Sequence, residues 1–132
     1  MFNPRCRILI VDDHIPIRDA LRDLLKSYDD ILIVGEAGNG QEAIDMVESC
    51  QPDVVLLDIY MPKMNGIEAA NEIKKLWENT IIIGLTIVHD TYTNTAFLKA
   101  GASAVISKDR LDQLYSTIER ACSTKIGDQR SV

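Results

Sequence analysis

Five polar residues that can do chemistry each follow an apolar, strand-like segment. Asp12 and Asp13 follow ILIV, Asp58 ends VVLLD, Thr86 ends IIIGLT and Lys108 follows AVIS. Carboxylates that converge repel one another unless a cation lies among them. Mg2+ takes one or two carboxylates together with oxygens from a phosphate, and a hydroxyl and an ammonium can hold phosphoryl oxygens. This set of residue types therefore indicates phosphate chemistry with a divalent ion.

Each of these residues taken alone has an ordinary structural interpretation. An aspartate after a strand commonly forms a turn or caps a helix, but it can also be a metal ligand or a nucleophile that forms an acyl phosphate. Threonine favours strands, and a lysine after a strand is usually solvated. For Asp58 the three interpretations stay open until its neighbours in space are considered.

The strand-like segments predict a parallel sheet. They cover residues 7–11, 31–37, 54–58, 81–86 and 104–107, and three of them are continuously apolar. Continuous apolar runs are typical of parallel strands covered on both faces, whereas half-exposed strands alternate apolar and polar residues.

Helical patterns separate the strands. Pro16 is suited to a first helical turn, Asn39 and Asn65 are plausible helix caps, and Gly101 is a helix-stop signal. A fifth helix is predicted over residues 111–122 from the spacing of its apolar residues. Five alternations predict an α/β fold, a (βα)5 doubly wound, five-stranded open sheet. Ligands of such sheets bind at the carboxyl ends of the strands, where all five polar residues would lie.

Composition excludes several classes of protein. At 132 residues the chain has the size of one domain, and its net charge of −6 with no basic run argues against nucleic-acid binding by this domain. No apolar run approaches the ~18 residues of a membrane span, and residues 1–5 are too short for a signal peptide. A soluble, cytoplasmic protein without membrane contact is expected.

The three cysteines, Cys6, Cys50 and Cys122, are far apart in the sequence. Their odd number and scatter argue against a disulfide framework and fit a reducing cytosol, so they are interpreted as small buried or half-buried apolar residues.

Four segments together resemble the receiver domain of bacterial two-component response regulators: ILIVDDH, VVLLDIYMPKMNGIEAA, IIGLT and LKAGASAVISK. The resemblance covers about residues 7–122. It implies a flavodoxin-like fold with strand order 2-1-3-4-5, and the style of the segments is similar to NarL-like regulators that carry a helix-turn-helix output domain.

The resemblance assigns roles residue by residue. Asp58 would be the phosphoacceptor, and Thr86 and Lys108 would contact the phosphoryl group. Asp12 and Asp13 would hold Mg2+ together with Asp58, and the backbone carbonyl of Tyr60 would complete the protein's share of the metal shell.

The implied function is a signalling switch. A sensor histidine kinase would donate its phosphoryl group to the aspartate, and the new charge would bias a two-state surface. Such a domain catalyses only its own phosphorylation and dephosphorylation, so it is not an enzyme on other substrates. A DNA-binding output domain in a longer protein and a phosphorylation-dependent homodimer are implied partners.

Three positions depart from the family pattern. Val105 replaces the aromatic residue three positions before the lysine, Ile87 replaces a small residue after the threonine, and Asp109 replaces a proline after the lysine. Tyr60 and Val88 flank the expected entry of a hydrolytic water.

Two other functions are compatible with the same residues. A degenerate receiver that acts only as an interaction module is one rival, and a Mg2+-dependent phosphatase with an aspartyl-phosphate intermediate is the other.

Residues 1–124 are predicted to form the receiver domain, and residues 125–132 a frayed tail or the start of a linker.

Several polar residues near the predicted site have open roles. His14 either faces the site or serves in a plain loop or cap. Arg18, Arg22 and Lys26 form either a solvated helix face or a docking surface for the kinase's phosphotransfer domain. His89 is interpreted as a solvated residue at the entry of the fourth helix.

Overall fold

The computed structural model describes the backbone of residues 5–87 and 90–130 and the side chains up to residue 123 within them. In chain order its elements are β1 (Cys6–Val11), α1 (Ile15–Leu25), β2 (Ile31–Ala37), α2 (Gly40–Cys50), β3 (Val54–Asp58), α3 (Gly66–Leu76), β4 (Ile81–Thr86), α4 (Thr91–Lys99), β5 (Ala104–Ser107), a 3-10 helix (Lys108–Gln113) and α5 (Leu114–Arg130). The predicted alternation of strand and helix is confirmed. The predictions for Val88 and His89 concern positions outside the described residues.

The five strands form one parallel sheet in the order β2-β1-β3-β4-β5, as the resemblance implied. The apolar strands β1 and β3 lie at its centre, where Ile10 pairs with Leu56. The order reverses at β1, so the ends of β1 and β3 border the switch point at which open α/β sheets bind ligands.

Both faces of the sheet are covered, as the continuous apolar runs predicted. On one face Val55 and Leu57 pack in a cluster with residues of α2, α3 and α4. On the other face Leu56 packs with residues of α1 and α5. All three strand residues are fully buried, so β3 is held from both sides.

The helix starts follow the predicted capping signals. The side chain of Asn39 accepts a hydrogen bond from Glu42 N–H at the start of α2. Asn65 and Glu68 form a reciprocal capping box at the start of α3, which satisfies two backbone donors that a bare helix end would leave without partners. Pro16 lies in the first turn of α1.

The C-terminal part differs from the prediction. Residues 108–113 form a 3-10 helix, so α5 begins at Leu114 rather than near residue 111. The backbone of α5 continues to Arg130. The segment from residue 125 is therefore helical up to Arg130, where the sequence predicted a frayed tail or the start of a linker. The domain boundary at residue 124 stays a prediction.

The prediction for the cysteines is wrong in one respect. Cys6 and Cys122 form a disulfide, with Cα atoms 6.1 Å apart and a sequence separation of 116 residues, and Cys50 is free. Cys6 begins β1 and Cys122 lies on the inner face of α5, and both belong to the same core cluster. The two cysteines are far apart in the sequence but adjacent in the fold, so their pairing could not be predicted from their spacing. In the chain-entropy description a bridge of this span stabilises the folded state by roughly 4–5 kcal/mol.

Within the described residues, no helix is both long enough and apolar enough to cross a bilayer.

Candidate functional site

The strand ends bring three of the predicted residues into direct contact. Lys108 Nζ lies 2.6 Å from Asp12 Oδ2 and 3.0 Å from Asp58 Oδ1. Asp12 follows β1, Asp58 ends β3 and Lys108 follows β5, so one ammonium bridges carboxylates from two central strands. The aspartates are almost completely buried, at 0% and 3% exposure.

Thr86 lies at the same edge of the sheet. Asp58 pairs with Leu85 in the register of β3 and β4, so Thr86 is one residue further along β4. Its other neighbour in the sheet is Ser107, the residue before Lys108. Thr86 is fully buried and lies at the predicted edge of the sheet, whereas its contact with a phosphoryl group stays a prediction.

Asp13 and His14 form the outer part of the acidic group. His14 Nδ1 lies 3.0 Å from Asp13 Oδ1 and 3.3 Å from Asp12 Oδ1, and the backbone N–H of His14 donates to Asp12 Oδ1 over 2.9 Å. His14 occupies the cap position of α1 without a side-chain capping bond. His14 therefore stands at the cap position, as one interpretation held, and its ring faces the acidic pair, as the other held.

Burial and charge act together on Asp58. Removal from water raises the pKa of its carboxyl group, and the neighbouring Asp12 raises it further, against the opposing effect of Lys108. Burial alone would lower the pKa of Lys108, but its hydrogen bonds and ion pairs with Asp12 and Asp58 raise it overall. The lysine therefore stays charged, and yet it does not fully neutralise the acidic group.

The residues present fit a hard divalent cation. Asp12, Asp13 and Asp58 carry two more charges than Lys108 neutralises. Among the described residues, no hydrogen-bond donor reaches the buried Oδ1 of Asp13; the approach of His14 to it is an ion pair only when the imidazole is protonated. Carboxylate oxygens beside a water-accessible edge are the ligands that Mg2+ prefers, and receiver domains typically bind Mg2+ in such an acidic group.

The loop after β3 is held close to Asp58. The N–H of Gly66 donates to the carbonyl oxygen of Ile59 over 2.8 Å, and a Cβ at Gly66 would overlap the carbonyl oxygen of Asp58. Only glycine allows this approach, which explains the Asn-Gly at the start of α3. Tyr60 lies in this loop with a half-exposed side chain, and its carbonyl as a metal ligand stays a prediction.

Sequence reasoning missed a group of charges behind Asp12. Arg18 donates from NH1 to the backbone oxygen of Asp12 over 2.5 Å and from Nε to Glu36 over 3.2 Å. Arg22 donates to the other oxygen of Glu36 over 2.5 Å. Arg18 is 17% exposed, so for this residue the interpretation as a solvated face is wrong. The available signal was Glu36 itself, a charge within the apolar strand ILIVGEA that needs a partner.

The departures from the family pattern have defined surroundings. Val105 is partly buried against the core cluster and pairs with Gly84 of β4. Ile87 is 67% exposed beside the site. The N–H of Asp109 donates to Ser107 Oγ at the start of the 3-10 helix, so a capping bond opens this helix where the family more often has a proline.

The family model of the response regulator receiver domain matches residues 8–119. The chain belongs to this family. The receiver domain is 36% identical over 116 residues to transcriptional regulatory protein YdfI of Bacillus subtilis, covering 87% of this chain and 54% of that protein. It is 39% identical over 103 residues to the nitrate/nitrite response regulator NarL of Escherichia coli K12, covering 77% and 47%.

Solved structures agree with this assignment. The response regulator domain of Thermotoga maritima CheB is 31% identical, with a TM-score of 0.83 over 89% of this chain and 96% of that one. The receiver domain of a NarL-type regulator from Mycobacterium tuberculosis is 26% identical, also with a TM-score of 0.83, over 90% and 98%. The predicted flavodoxin-like fold and the NarL-like resemblance are confirmed. The chain spans about half the length of the curated relatives it matches.

The raised pKa of Asp58 predicts how stability depends on pH. Because the folded-state pKa lies above the unfolded value, the stability that protonated Asp58 contributes is present at low pH and is lost as pH rises through the folded-state pKa. At pH 7 ionised Asp58 therefore destabilises the fold. We expect Asp58→Asn to raise the free energy of unfolding at pH 7, measured by urea denaturation, with a smaller gain at pH 4. A loss of stability at pH 7 would contradict this.

Proposed function

We propose that this receiver domain accepts a phosphoryl group on Asp58 from a histidine kinase in the presence of Mg2+, as a switch in two-component signal transduction. The observation that supports the proposal most is the position of Asp58, a buried carboxylate at the C-terminal end of a central strand. The ammonium of Lys108 contacts both Asp58 and Asp12. The negative charge of the carboxylates is therefore not fully compensated, and the ammonium of Lys108 is already in place to pair with phosphoryl oxygens.

In the transfer, an oxygen of Asp58 bonds to phosphorus while the bond from phosphorus to the imidazole nitrogen of the phosphohistidine breaks. The nitrogen keeps the electron pair and gains a proton as the histidine leaves. Lys108 then pairs with a phosphoryl oxygen, and the hydroxyl of Thr86 donates to another. Phosphoryl transfer depends mainly on positioning and charge stabilisation, which these residues supply.

Asp12, Asp13, Asp58 and the carbonyl of Tyr60 would hold the Mg2+ ion. When bound, the ion offsets the charge of the carboxylates and of the transferring phosphoryl oxygens. Lys108 would orient the carboxylate of Asp58 and then hold its phosphorylated form, and the aspartates would position the ion beside it.

The consequence of phosphorylation is a changed surface. Movement of Thr86 toward the phosphoryl group would bias β4, α4 and β5, although Val105 cannot swing as an aromatic side chain would. In the longer protein the output would be a DNA-binding domain that regulates transcription, as the description of YdfI as a transcriptional regulatory protein suggests. The domain itself would act in the cytoplasm, without binding nucleic acid, and could form a homodimer when phosphorylated.

A small-molecule donor tests the acceptor directly. The protein is incubated with acetyl phosphate and Mg2+, and intact mass is measured over time. We expect one phosphoryl adduct on wild type, none on Asp58→Asn, and the wild-type result on Asp45→Asn, which removes an exposed carboxylate on α2. Omitting Mg2+ should lower the rate by at least about tenfold.

The rival functions give different results in the same experiment. A degenerate receiver would show no adduct on wild type. A phosphatase would turn over a small phosphomonoester many times per molecule. Either outcome, or an adduct that persists on Asp58→Asn, would refute the proposal.

The contacts of Arg18 lead to a matched pair of variants. Arg18→Ala and Arg22→Ala each remove an ion pair with Glu36, but only Arg18 also holds the backbone of Asp12. We expect Arg18→Ala to weaken Mg2+ binding roughly three- to tenfold, because the acidic pair loses an anchor, and Arg22→Ala to change it less than twofold. Binding is followed by the Mg2+-dependent rise in melting temperature. Equal effects would show that Arg18 has no special part in positioning Asp12.

A further inference from the structure

The disulfide lies at the end of the sheet opposite Asp58. Cys6 is the first residue of β1, and Asp12 follows the last residue of that strand. At about 3.3 Å per residue, Cys6 and Asp12 are roughly 20 Å apart along the strand. The cysteines therefore cannot take part in phosphoryl chemistry, and their function must be sought in α5.

Cys122 is the last buried anchor of α5 among the side chains that the structure describes. Leu114, Ile118 and Cys122 recur every four residues and are 0%, 1% and 6% exposed. Tyr115 adds a stack on Tyr28 of the α1–β2 loop, with ring centroids 3.7 Å apart. Among the side chains described up to residue 123, the disulfide at Cys122 is therefore the contact furthest along α5 that ties the helix to the sheet.

A carboxylate stands beside the bridge. A ligand-type oxygen of Asp53 and the sulfur atoms of Cys6 and Cys122 all lie within 4.8 Å of one another, and Asp53 also accepts the N–H of Arg7 over 2.9 Å. With both cysteines only about 5–6% exposed, thiol–disulfide exchange should be slow and should require partial opening of α5.

We propose that Cys6 and Cys122 form a reversible thiol–disulfide centre that controls how firmly the C-terminal half of α5 is attached to the domain. The oxidant is a small disulfide such as oxidised glutathione. The thiolate of one cysteine attacks it, its S–S bond breaks, and one glutathione leaves as a thiol. The second cysteine then attacks the mixed disulfide and releases the other glutathione, so two protein thiols are oxidised and one small disulfide is reduced.

The consequence is a second input to the same domain, independent of Asp58. Reduction would leave Leu114 and Ile118 in place and release the helix beyond them. In a longer regulator whose output domain follows the receiver, the orientation of that domain would then depend on redox state. This inference does not rest on the proposed phosphorylation.

The test uses the full chain in buffers of varied reduced-to-oxidised glutathione ratio. Free thiols are alkylated after acid quenching and counted by intact mass. We expect one thiol (Cys50) in the oxidised form, three in the reduced form, and both forms populated within the range of ratios. The oxidised form should melt higher by on the order of 10 °C, and hydrogen exchange over residues 118–130 should be faster in the reduced form while α1 is unchanged.

Two variants and a second readout keep the result unambiguous. The double variant Cys6→Ala/Cys122→Ala should lose all redox dependence of melting temperature, whereas the matched control Cys50→Ala should behave as wild type. Phosphoryl uptake from acetyl phosphate should agree within about twofold between the two redox forms.

Four results would overturn the proposal. Three free thiols at every ratio would show that no bridge forms, and one thiol at every ratio would show a permanent bridge. A difference in phosphoryl uptake well beyond twofold would show that the effect is not confined to α5. Stoichiometric Zn2+ uptake by the reduced protein, lost in the double variant, would show that Cys6, Cys122 and Asp53 form a metal site instead.

Discussion

The structure depends on one electrostatic constraint: three carboxylates lie at one edge of a buried sheet, and among the described residues one ammonium, that of Lys108, lies between two of them. Lys108 joins Asp12 and Asp58 at 2.6 and 3.0 Å and thereby makes the burial of both tolerable. Burial first, and then the neighbouring charge of Asp12, still raise the pKa of Asp58, and one ammonium balances only one of the three carboxylate charges. This residual negative charge favours the binding of a divalent cation. The bound cation and Lys108 would then favour a phosphoryl group. The charge imbalance that lowers the stability of the fold therefore supports the proposed chemistry.

The rest of the fold holds that imbalance in place. β1 and β3 are covered on both faces by apolar clusters, which prevents Asp12 and Asp58 from moving toward water. Close contact between Gly66 and the backbone of Asp58 fixes the loop that carries Tyr60. Behind Asp12, Arg18 and Glu36 form a charged support that links α1 to β2. Packing, loop geometry and outer charges therefore all act on the same few atoms.

Much of this was predictable from the sequence, because periodic apolar segments report strands and helices directly and parallel strand ends meet at one edge. Asp12, Asp58 and Lys108 could be brought together by that reasoning alone. The pairing of Cys6 with Cys122 could not, since their contact depends on how α5 lies across the sheet. The link from Arg18 to Glu36 was hidden for the same reason, and only the charge within β2 hinted at it. The helical backbone up to Arg130 escaped prediction because its residues lack apolar periodicity.

The proposal that Asp58 accepts the phosphoryl group is tested most directly by locating the phosphorylated residue. After incubation with acetyl phosphate and Mg2+, borohydride reduces an aspartyl phosphate to homoserine, and peptide mass spectrometry shows which residue has changed. We predict homoserine at position 58 and unchanged aspartate at positions 12 and 13. Homoserine at another position, or none in wild-type protein that has been shown to bind Mg2+, would contradict it.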